Sequence, residues 1–278
     1  MKLRSTSLCS VHLDAFGGRG WLAVEGCFDQ ETMNGLIQAA TRCSEEMAAS
    51  PTTGSEMWKK QHFDGEDEEA QPRKITTPFD KDEAFRQVAL APRLRALATQ
   101  LLMGREAKLM TDQLFLKPPK VGSAKPYHQD NFYFRCNDSG HLLTAWVALE
   151  DADEDNGCLT YIEGSHNNGI IEHVQTDPTE PYNLNAPLDE VDKRAGGALR
   201  PREVYGRIHK GGVVFHHGAT LHASGANKSD RWRRGYALHF CAEGAGFLPP
   251  DATASALDAS SWYCNRPGYD GWVEHAKC

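Results

Sequence analysis

Residues 211–240 read GGVVFHHGATLHASGANKSDRWRRGYALHF, and this stretch decides the fold. The paired glycines indicate a tight turn, the apolar run after them a strand, and the next glycine a second turn before another strand. Such a tight succession of turns and strands would carry side chains back into the interior of a barrel. Three histidines, His216, His217 and His222, compete for that interior position, and the pattern alone does not choose among them.

The rest of the carboxyl-terminal half has the same texture. Short β-rich runs alternate with Gly, Pro, Asn and Asp, which predicts a barrel or a double-sheet jelly roll. Between two of these runs, residues 175–200 have no periodicity and contain several Pro, Gly and Asp, which is typical of a functional loop. The predicted strands cover residues 108–116, 127–134, 142–149, 158–163, 202–208, 212–216, 219–224 and 234–241.

The amino-terminal part predicts a strand followed by helices. Residues 20–28 are rich in β-formers, and residues 29–49 have helical apolar spacing with an aspartate at the position of the N-cap. Residues 50–78 contain Pro, Gly and an acidic run, which indicates a solvated loop. A second helix is predicted over 81–103, ended by a glycine. The tail after residue 243 is aromatic yet irregular, and we expect it to pack on the domain.

The amino-acid composition limits the classes of protein to which the chain can belong. The 278 residues are 40% apolar and 24% charged, with a net charge of −8, which is typical of a globular protein and disfavours a nucleic-acid partner. None of the eight cysteines belongs to a C-x-x-C motif. We therefore predict that the thiols are reduced. There is no signal-like apolar region and no long apolar run. We therefore expect a cytoplasmic protein with no membrane partner; the oligomeric state cannot be predicted.

A candidate metal site begins at Tyr127-His128-Gln129-Asp130. On a strand, residues two apart point to the same side, so His128 and Asp130 would present an imidazole and a carboxylate together. One histidine from a neighbouring strand would complete the two-histidine, one-carboxylate facial triad of non-haem iron(II) oxygenases. The same ligands could hold zinc in a metal-dependent hydrolase or isomerase. A non-catalytic binding protein on the same fold is the other alternative.

Four blocks in this order resemble the phytanoyl-CoA dioxygenase family. The resemblance covers roughly residues 20–242, and it implies a mainly β fold with flanking helices around a double-stranded β-helix, or jelly-roll, core. It also implies an enzyme that uses iron(II), 2-oxoglutarate and dioxygen to oxidise, most simply to hydroxylate, a small molecule, with release of succinate and carbon dioxide. The blocks are PYHQDNFYF (126–134), LLTAWVALEDADEDNGCL (142–159), GSH (164–166) and the stretch 211–240.

The resemblance implies one oxygenase domain over residues 1–278. In that division, residues 1–106 supply the amino-terminal strand and helices. Residues 107–242 form the jelly-roll core and contain the 175–200 insertion, and residues 243–278 form the tail that packs on the core.

The resemblance also selects the metal ligands. His128 and Asp130 match the first two ligands of the family, and His222, which opens the H-x-S-G-x-N stretch, matches the third. This leaves His216 as a strand residue near the site. Related halogenases replace the carboxylate with a small residue, so Asp130 favours hydroxylation or another oxidation over halogenation.

Four further residues are implied as cosubstrate contacts. Arg233 lies eleven residues after His222 and matches the family arginine that holds the distal carboxylate of 2-oxoglutarate, which suits a guanidinium fork. Ser224 matches a serine that hydrogen-bonds the same carboxylate, and Trp146 a tryptophan of the pocket. Gln113 is included, although relatives often carry another residue type there.

The chain also departs from the family pattern. Glu163 stands where relatives commonly have proline, and Lys2-Leu3 and His12-Leu13 are too far apart for the amino-terminal peroxisomal signal of relatives. The substrate could be an acyl-CoA or a free metabolite. Lys117, Lys120 and Lys125 precede the metal strand, and the simplest interpretation is that they belong to a solvated loop.

Overall fold

The computed structural model of the chain describes residues 7–50, 56–57, 72–175, 184–194 and 197–248. The helices are α1 (Ser10–Arg19), α2 (Gln30–Ala49), α3 (Glu83–Ala89), α4 (Pro92–Leu101), α5 (Asp130–Phe134) and α6 (Leu188–Arg194). The strands are β1 (Trp21–Val24), β2 (Glu56–Met57), β3 (Pro72–Thr76), β4 (Ala107–Lys117), β5 (Lys125–His128), β6 (Leu142–Ala148), β7 (Leu159–Ile162), β8 (Val174–Gln175), β9 (Leu184–Asn185), β10 (Glu203–Gly206), β11 (Val213–His217), β12 (His222–Ser224) and β13 (Arg233–Ala242).

Two antiparallel sheets form the framework. The larger has seven strands in the order β1-β11-β6-β13-β4-β3-β2, and the smaller has four in the order β10-β7-β12-β5. Strands that follow one another in sequence fall repeatedly in different sheets, as a double-stranded β-helix requires. The predicted jelly-roll core is therefore confirmed. The strands β8 and β9 form a separate two-stranded sheet.

Strand β6 shows how the larger sheet is buried on both faces. Leu143, Ala145 and Val147 pack with the helices, whereas Trp146 and Ala148 belong to a second cluster with residues of the smaller sheet. This alternation follows from the period of two along a strand. Burying each large apolar side chain contributes roughly 2 kcal/mol, so both faces stabilise the sheet.

Helix α2 confirms the helix predicted over 29–49. Its N-cap is Asp29, whose side chain accepts a hydrogen bond of 2.9 Å from the amide of Thr32. Met33 and Leu36 of this helix are fully buried against the larger sheet. The helical layer thus closes one face of the sheet and leaves the other face to the site.

The prediction of a single helix over 81–103 is wrong, because the structure has two helices in this range. Helix α3 ends at Ala89, and α4 begins at Pro92. The proline disfavours helical geometry in the preceding Ala91, whose ψ of 123° is extended. Proline at the first position of a helix is favourable, so the same residue that ends one helix starts the next.

Two segments expected to be irregular contain regular structure. Strand β3, within the predicted loop 50–78, pairs with β4 in the larger sheet. The insertion 175–200 contains β9 and α6. Helix α1 was not predicted, because its sequence contains two glycines and buries only Phe16. The acidic run at 64–69 and the tail after residue 248 lie outside the described residues.

The amino-terminal strand β1 is part of the core. It pairs with β11 so that Trp21 lies opposite His216, and the Trp21 indole stacks on the Tyr161 ring at 5.0 Å. Strands β1, β2 and β3 all precede residue 107, so part of the larger sheet comes from the amino-terminal segment. The division of residues 1–278 into one domain with three parts stays a prediction.

The cysteines of the described residues agree with the predicted reduced thiols. All six of them are free: Cys9, Cys27, Cys43, Cys136, Cys158 and Cys241. Among the helices that the structure describes, none combines the length and the apolar character that a membrane crossing needs.

Candidate active site

A cavity is lined by residues from both sheets. The structure brings together in its wall all seven residues predicted for the site: Gln113, His128, Asp130, Trp146, His222, Ser224 and Arg233. Residues up to 120 apart in the chain therefore share one space, as the jelly-roll topology requires of neighbouring strands.

His128 and His222 face each other across two paired strands. They are partners in the register of β5 and β12, and their ring centroids lie 4.1 Å apart. The Nδ1 atom of His128 lies 2.9 Å from the carbonyl of Pro126, and that of His222 lies 3.0 Å from the carbonyl of Thr220. Since a carbonyl only accepts, both Nδ1 atoms carry hydrogen and both Nε2 lone pairs are left for a ligand.

Asp130 is the first residue of helix α5, not part of a strand that extends to 134 as predicted. The intervening Gln129 is still extended, so the side chains of His128 and Asp130 leave the chain on the same side before the helix begins. Asp130 Oδ1 lies 3.8 Å from His128 Nε2 and 3.6 Å from His222 Nε2. The predicted spacing of His128 and Asp130 therefore still applies, and only the predicted extension of the strand to residue 134 is wrong.

The other oxygen of Asp130 is held by two donors. Thr144 Oγ1 donates to Oδ2 over 2.5 Å, and His216 Nε2 donates to the same oxygen over 3.0 Å. Because His216 Nε2 carries the hydrogen, its Nδ1 accepts from the Tyr161 hydroxyl at 2.9 Å. Oδ2 is thus engaged in two hydrogen bonds, while Oδ1 faces the two histidines and accepts neither of these bonds.

This donor set fits a divalent first-row metal ion. One ligand atom from each of His128, Asp130 and His222 can be chosen so that all three lie within 4.8 Å of one another. Burial first, and then the nearby His222, holds the pKa of His128 well below its ordinary value, and burial lowers the pKa of His222 to about 4. Burial opposes ionisation of Asp130, but the surrounding imidazoles hold its pKa well below its usual range. Neutral imidazoles and an ionised carboxylate are the forms that bind metal.

The three competing histidines of the stretch 211–240 are now distinguished. His222 faces His128 and Asp130, whereas His216 donates to Asp130 from behind. His217 points elsewhere: its Nδ1 accepts from the amide of Ala219, and its ring contacts His166. Alternation along β11 accounts for the opposite directions of these two neighbours.

Arg233 lies at another part of the cavity wall, and it is 3% exposed. Its Nε donates to the carbonyl of Gly157 over 3.0 Å, and its guanidinium carbon lies 5.3 Å from the centre of the Trp146 ring. Burial lowers the pKa of Arg233 to about 10, so it stays charged at neutral pH. Stacking on Trp146 and the bond to Gly157 fix its plane and leave further N–H groups to bind an anion.

Gly235 makes room for the Trp146 indole. A Cβ atom built on Gly235 would overlap the Trp146 ring. We expect Gly235→Ala to lower the free energy of unfolding by about 3 kcal/mol, because overpacking forces the indole or the strand to shift. Urea denaturation measures this, and the control is Gly35→Ala in α2, where nothing lies within 4 Å of the new Cβ and helix propensity predicts a small gain. Equal urea midpoints for Gly235→Ala and the unaltered chain would contradict the packing argument.

Several residues of the site were not predicted. Tyr161, Thr144 and His239 support the metal cluster, and Lys117, expected in a solvated loop, is buried in the cavity wall. Only Lys117 had a usable signal: the period of two along the predicted strand places it on the same side as Gln113. The hydroxyl and imidazole partners of Asp130 are set by tertiary contacts that no spacing encodes.

Comparisons with known proteins agree with the predicted family. Residues 16–235 match the family model for phytanoyl-CoA dioxygenase (PhyH). Phytanoyl-CoA dioxygenase domain-containing protein 1 of Danio rerio is 33% identical over 155 residues, which are 56% of this chain and 52% of that protein. The peroxisomal phytanoyl-CoA dioxygenase of Bos taurus is 29% identical over 63% of this chain and 51% of that protein. The chain therefore spans about half the length of these curated relatives.

Solved structures share the fold. The non-heme alpha-ketoglutarate-dependent carbocyclase SnoK from nogalamycin biosynthesis superposes with a TM-score of 0.70 at 23% identity, covering 91% of each chain. EvdO2 of Micromonospora carbonacea, complexed with 2-oxoglutarate, superposes with a TM-score of 0.67 at 22% identity, covering 91% of this chain and 98% of the other. At these identities the likeness establishes the jelly-roll fold. The family model, by contrast, matches more than three quarters of the sequence, and so the chain belongs to the phytanoyl-CoA dioxygenase family.

Proposed function

We propose that this chain is an iron(II)- and 2-oxoglutarate-dependent dioxygenase that oxidises a small molecule, most simply by hydroxylation, with release of succinate and carbon dioxide. The observation that carries the proposal is that His128, Asp130 and His222 line the same cavity as the buried Arg233. A zinc hydrolase or isomerase would have no use for a buried guanidinium in that wall. A non-catalytic binder would not need three metal-ligating side chains.

His128, Asp130 and His222 would hold the iron on one face, and bound iron(II) would supply the activation of dioxygen. The carbonyl contacts of the two histidines keep their Nε2 lone pairs in the cavity. Thr144 and His216 keep Asp130 turned so that Oδ1 is available. Fixed ligands of this kind leave positions open on the opposite side for a chelating cosubstrate and dioxygen.

Arg233, Ser224, Trp146 and Gln113 would bind 2-oxoglutarate. Arg233 would pair with the distal carboxylate, since a charge-assisted guanidinium–carboxylate pair is strong and directional. The Ser224 hydroxyl lines the same cavity and would donate to this carboxylate. The Arg233 guanidinium lies over the face of the Trp146 ring, and Gln113 contributes an amide side chain to the cavity wall.

The substrate would enter the same cavity beside the metal. SnoK and SnoN are named as enzymes of nogalamycin biosynthesis, and other relatives as phytanoyl-CoA dioxygenases, so both natural-product and acyl-CoA substrates occur among similar proteins. We propose a small-molecule substrate for this chain as well. Phe134 and Leu159 give the lining an apolar part. A cytoplasmic location without nucleic-acid or membrane partners stays a prediction.

Anaerobic addition of iron(II) and then 2-oxoglutarate to the purified protein tests the proposal. A weak visible charge-transfer band is expected, followed by succinate release when dioxygen and a panel of substrates are added. The matched control is His217→Ala, which removes a histidine that points away from the metal cluster and should leave the band unchanged. No band with confirmed iron in the site would refute the proposal, and a band without succinate across the panel would favour the non-catalytic binder.

A further inference from the structure

Lys117 is a buried lysine at the end of β4. Its side chain is 6% exposed, and it lies opposite Arg233 in the register of β4 and β13. Its Nζ donates to Ser224 Oγ over 2.8 Å and to the carbonyl oxygens of Ser224 and Gly225. Within the part of the chain that the structure describes, no carboxylate forms an ion pair with Lys117 or with Arg233.

The hydrogen bond from Lys117 determines the direction in which the Ser224 hydroxyl can donate its hydrogen. In its ammonium form Lys117 has three N–H donors and no lone pair, so Ser224 Oγ then accepts from it. The hydrogen of the Ser224 hydroxyl therefore points away from Lys117. Because Ser224 lines the cavity, that hydrogen is available to an acceptor inside it.

Two cations side by side need an anion. Burial, with Arg233 beside it, holds the pKa of Lys117 well below its ordinary value, and burial lowers the pKa of Arg233 to about 10. Like charges in a low-dielectric wall repel, and a carboxylate bound between them would relieve that repulsion and so favour the ammonium form of Lys117. This end of the cavity is thus built for the terminal carboxylate of a ligand.

We propose that Lys117 is a positioning residue that fixes Ser224 as a hydrogen-bond donor and, together with Arg233, makes the cavity select a cosubstrate with a distal carboxylate. This inference rests on the proposed function, and it deepens it by adding a second cation to the predicted arginine. Lys117 acts through Ser224 and through its charge, and its own N–H groups are engaged with the protein.

The test compares 2-oxoglutarate with 2-oxopentanoate, which has the same five-carbon chain without the distal carboxylate. Dissociation constants are measured anaerobically by calorimetry on the iron-loaded protein. Lys117→Met should weaken 2-oxoglutarate about 10- to 100-fold, because the bond from Ser224 to a charged group loses its fixed donor and the carboxylate loses a neighbouring cation, and it should leave 2-oxopentanoate nearly unchanged. The matched control is Lys120→Met, which removes an exposed lysine paired with Asp230 at 2.7 Å.

Four outcomes of these measurements overturn the inference. Equal weakening of both ligands in Lys117→Met would mean a merely structural lysine, and unchanged affinities for both ligands would mean no role. If the unaltered protein binds neither ligand, the proposed function itself fails. This outcome is distinguishable from the first two, because it is seen without any substitution. Additive losses of 2-oxoglutarate affinity from Lys117→Met and Ser224→Ala would also overturn the inference, because a residue acting through Ser224 should give strongly non-additive effects.

Folding of the variants is checked by circular dichroism. Methionine has a similar length and carries no charge, so we expect Lys117→Met to fold. If it does not, Lys117→Arg and Ser224→Ala complete the test. Lys117→Arg should keep most of the preference for 2-oxoglutarate and Ser224→Ala should lose about tenfold of it, the lower end of the range for a hydrogen bond to a charged group. A full preference in Ser224→Ala would overturn the inference.

Discussion

Asp130→Ala is expected to lower the rate of succinate release by roughly 1000-fold, because loss of one of three metal ligands removes several kcal/mol of metal-centred stabilisation. Asp130 supplies the only carboxylate of the candidate cluster in the described residues. Its removal also leaves the Thr144 hydroxyl and His216 Nε2 without their buried acceptor. Iron bound after dialysis should fall in parallel with the rate.

A graded variant tests the support of Asp130 separately from the ligand. Thr144→Val keeps the shape of the side chain and deletes the hydrogen bond of 2.5 Å to Asp130 Oδ2. We expect a loss of iron affinity of about 10- to 100-fold, the range for partners of metal ligands. Full iron content and full rate in Asp130→Ala would contradict the assignment of the metal centre.

Arg233→Met is expected to raise the KM for 2-oxoglutarate by roughly 100- to 5000-fold, since truncating one partner of a buried ion pair costs about 3–5 kcal/mol. The guanidinium is 3% exposed, so water does not replace it readily. The affinity for iron should stay close to that of the unaltered protein, because Arg233 does not belong to the metal cluster. Steady-state kinetics and metal analysis give the two quantities.

The neighbouring arginine provides the control. Arg234 points to the other side of β13, where its guanidinium pairs with Glu150 at 2.5 Å. Arg234→Met should therefore change stability slightly and leave the KM for 2-oxoglutarate near its original value. A larger KM effect from Arg234→Met than from Arg233→Met would show that the wrong arginine has been assigned.

The sequence was sufficient for the jelly roll and for the set of residues that meet in the cavity. Strands of the core have a clear period of two and are separated by turn residues, so six of the eight predicted strands have counterparts in the structure that cover most of their length, and β12 covers half of the run 219–224. The run predicted over 127–134 is the exception, because the chain leaves the strand after His128 and forms α5. The roles of the seven site residues stay predictions.

What could not be predicted depends on contacts between distant segments. Lys117 is assigned to a loop in the sequence because the predicted strand stops at residue 116, and its position opposite Arg233 and its burial come from the pairing of β4 with a distant strand. The partners of Asp130 come from β6 and β11, and no local pattern links them. The break at Pro92 is a different case, since the restriction that proline places on the preceding residue is local and could have been applied.

The stacking of Trp21 on Tyr161 has a consequence for any shortened form of the protein. Tyr161 donates to His216, which in turn holds Asp130, so the geometry of the metal ligands depends on a residue near the amino terminus. Removing the first 25 residues would take away β1 and leave without partners the main-chain amides and carbonyls on the edge of β11 that faces away from β6, a template for aggregation. The smallest unit that keeps this cavity intact thus begins ahead of Trp21, far upstream of the strands that contain the candidate metal ligands.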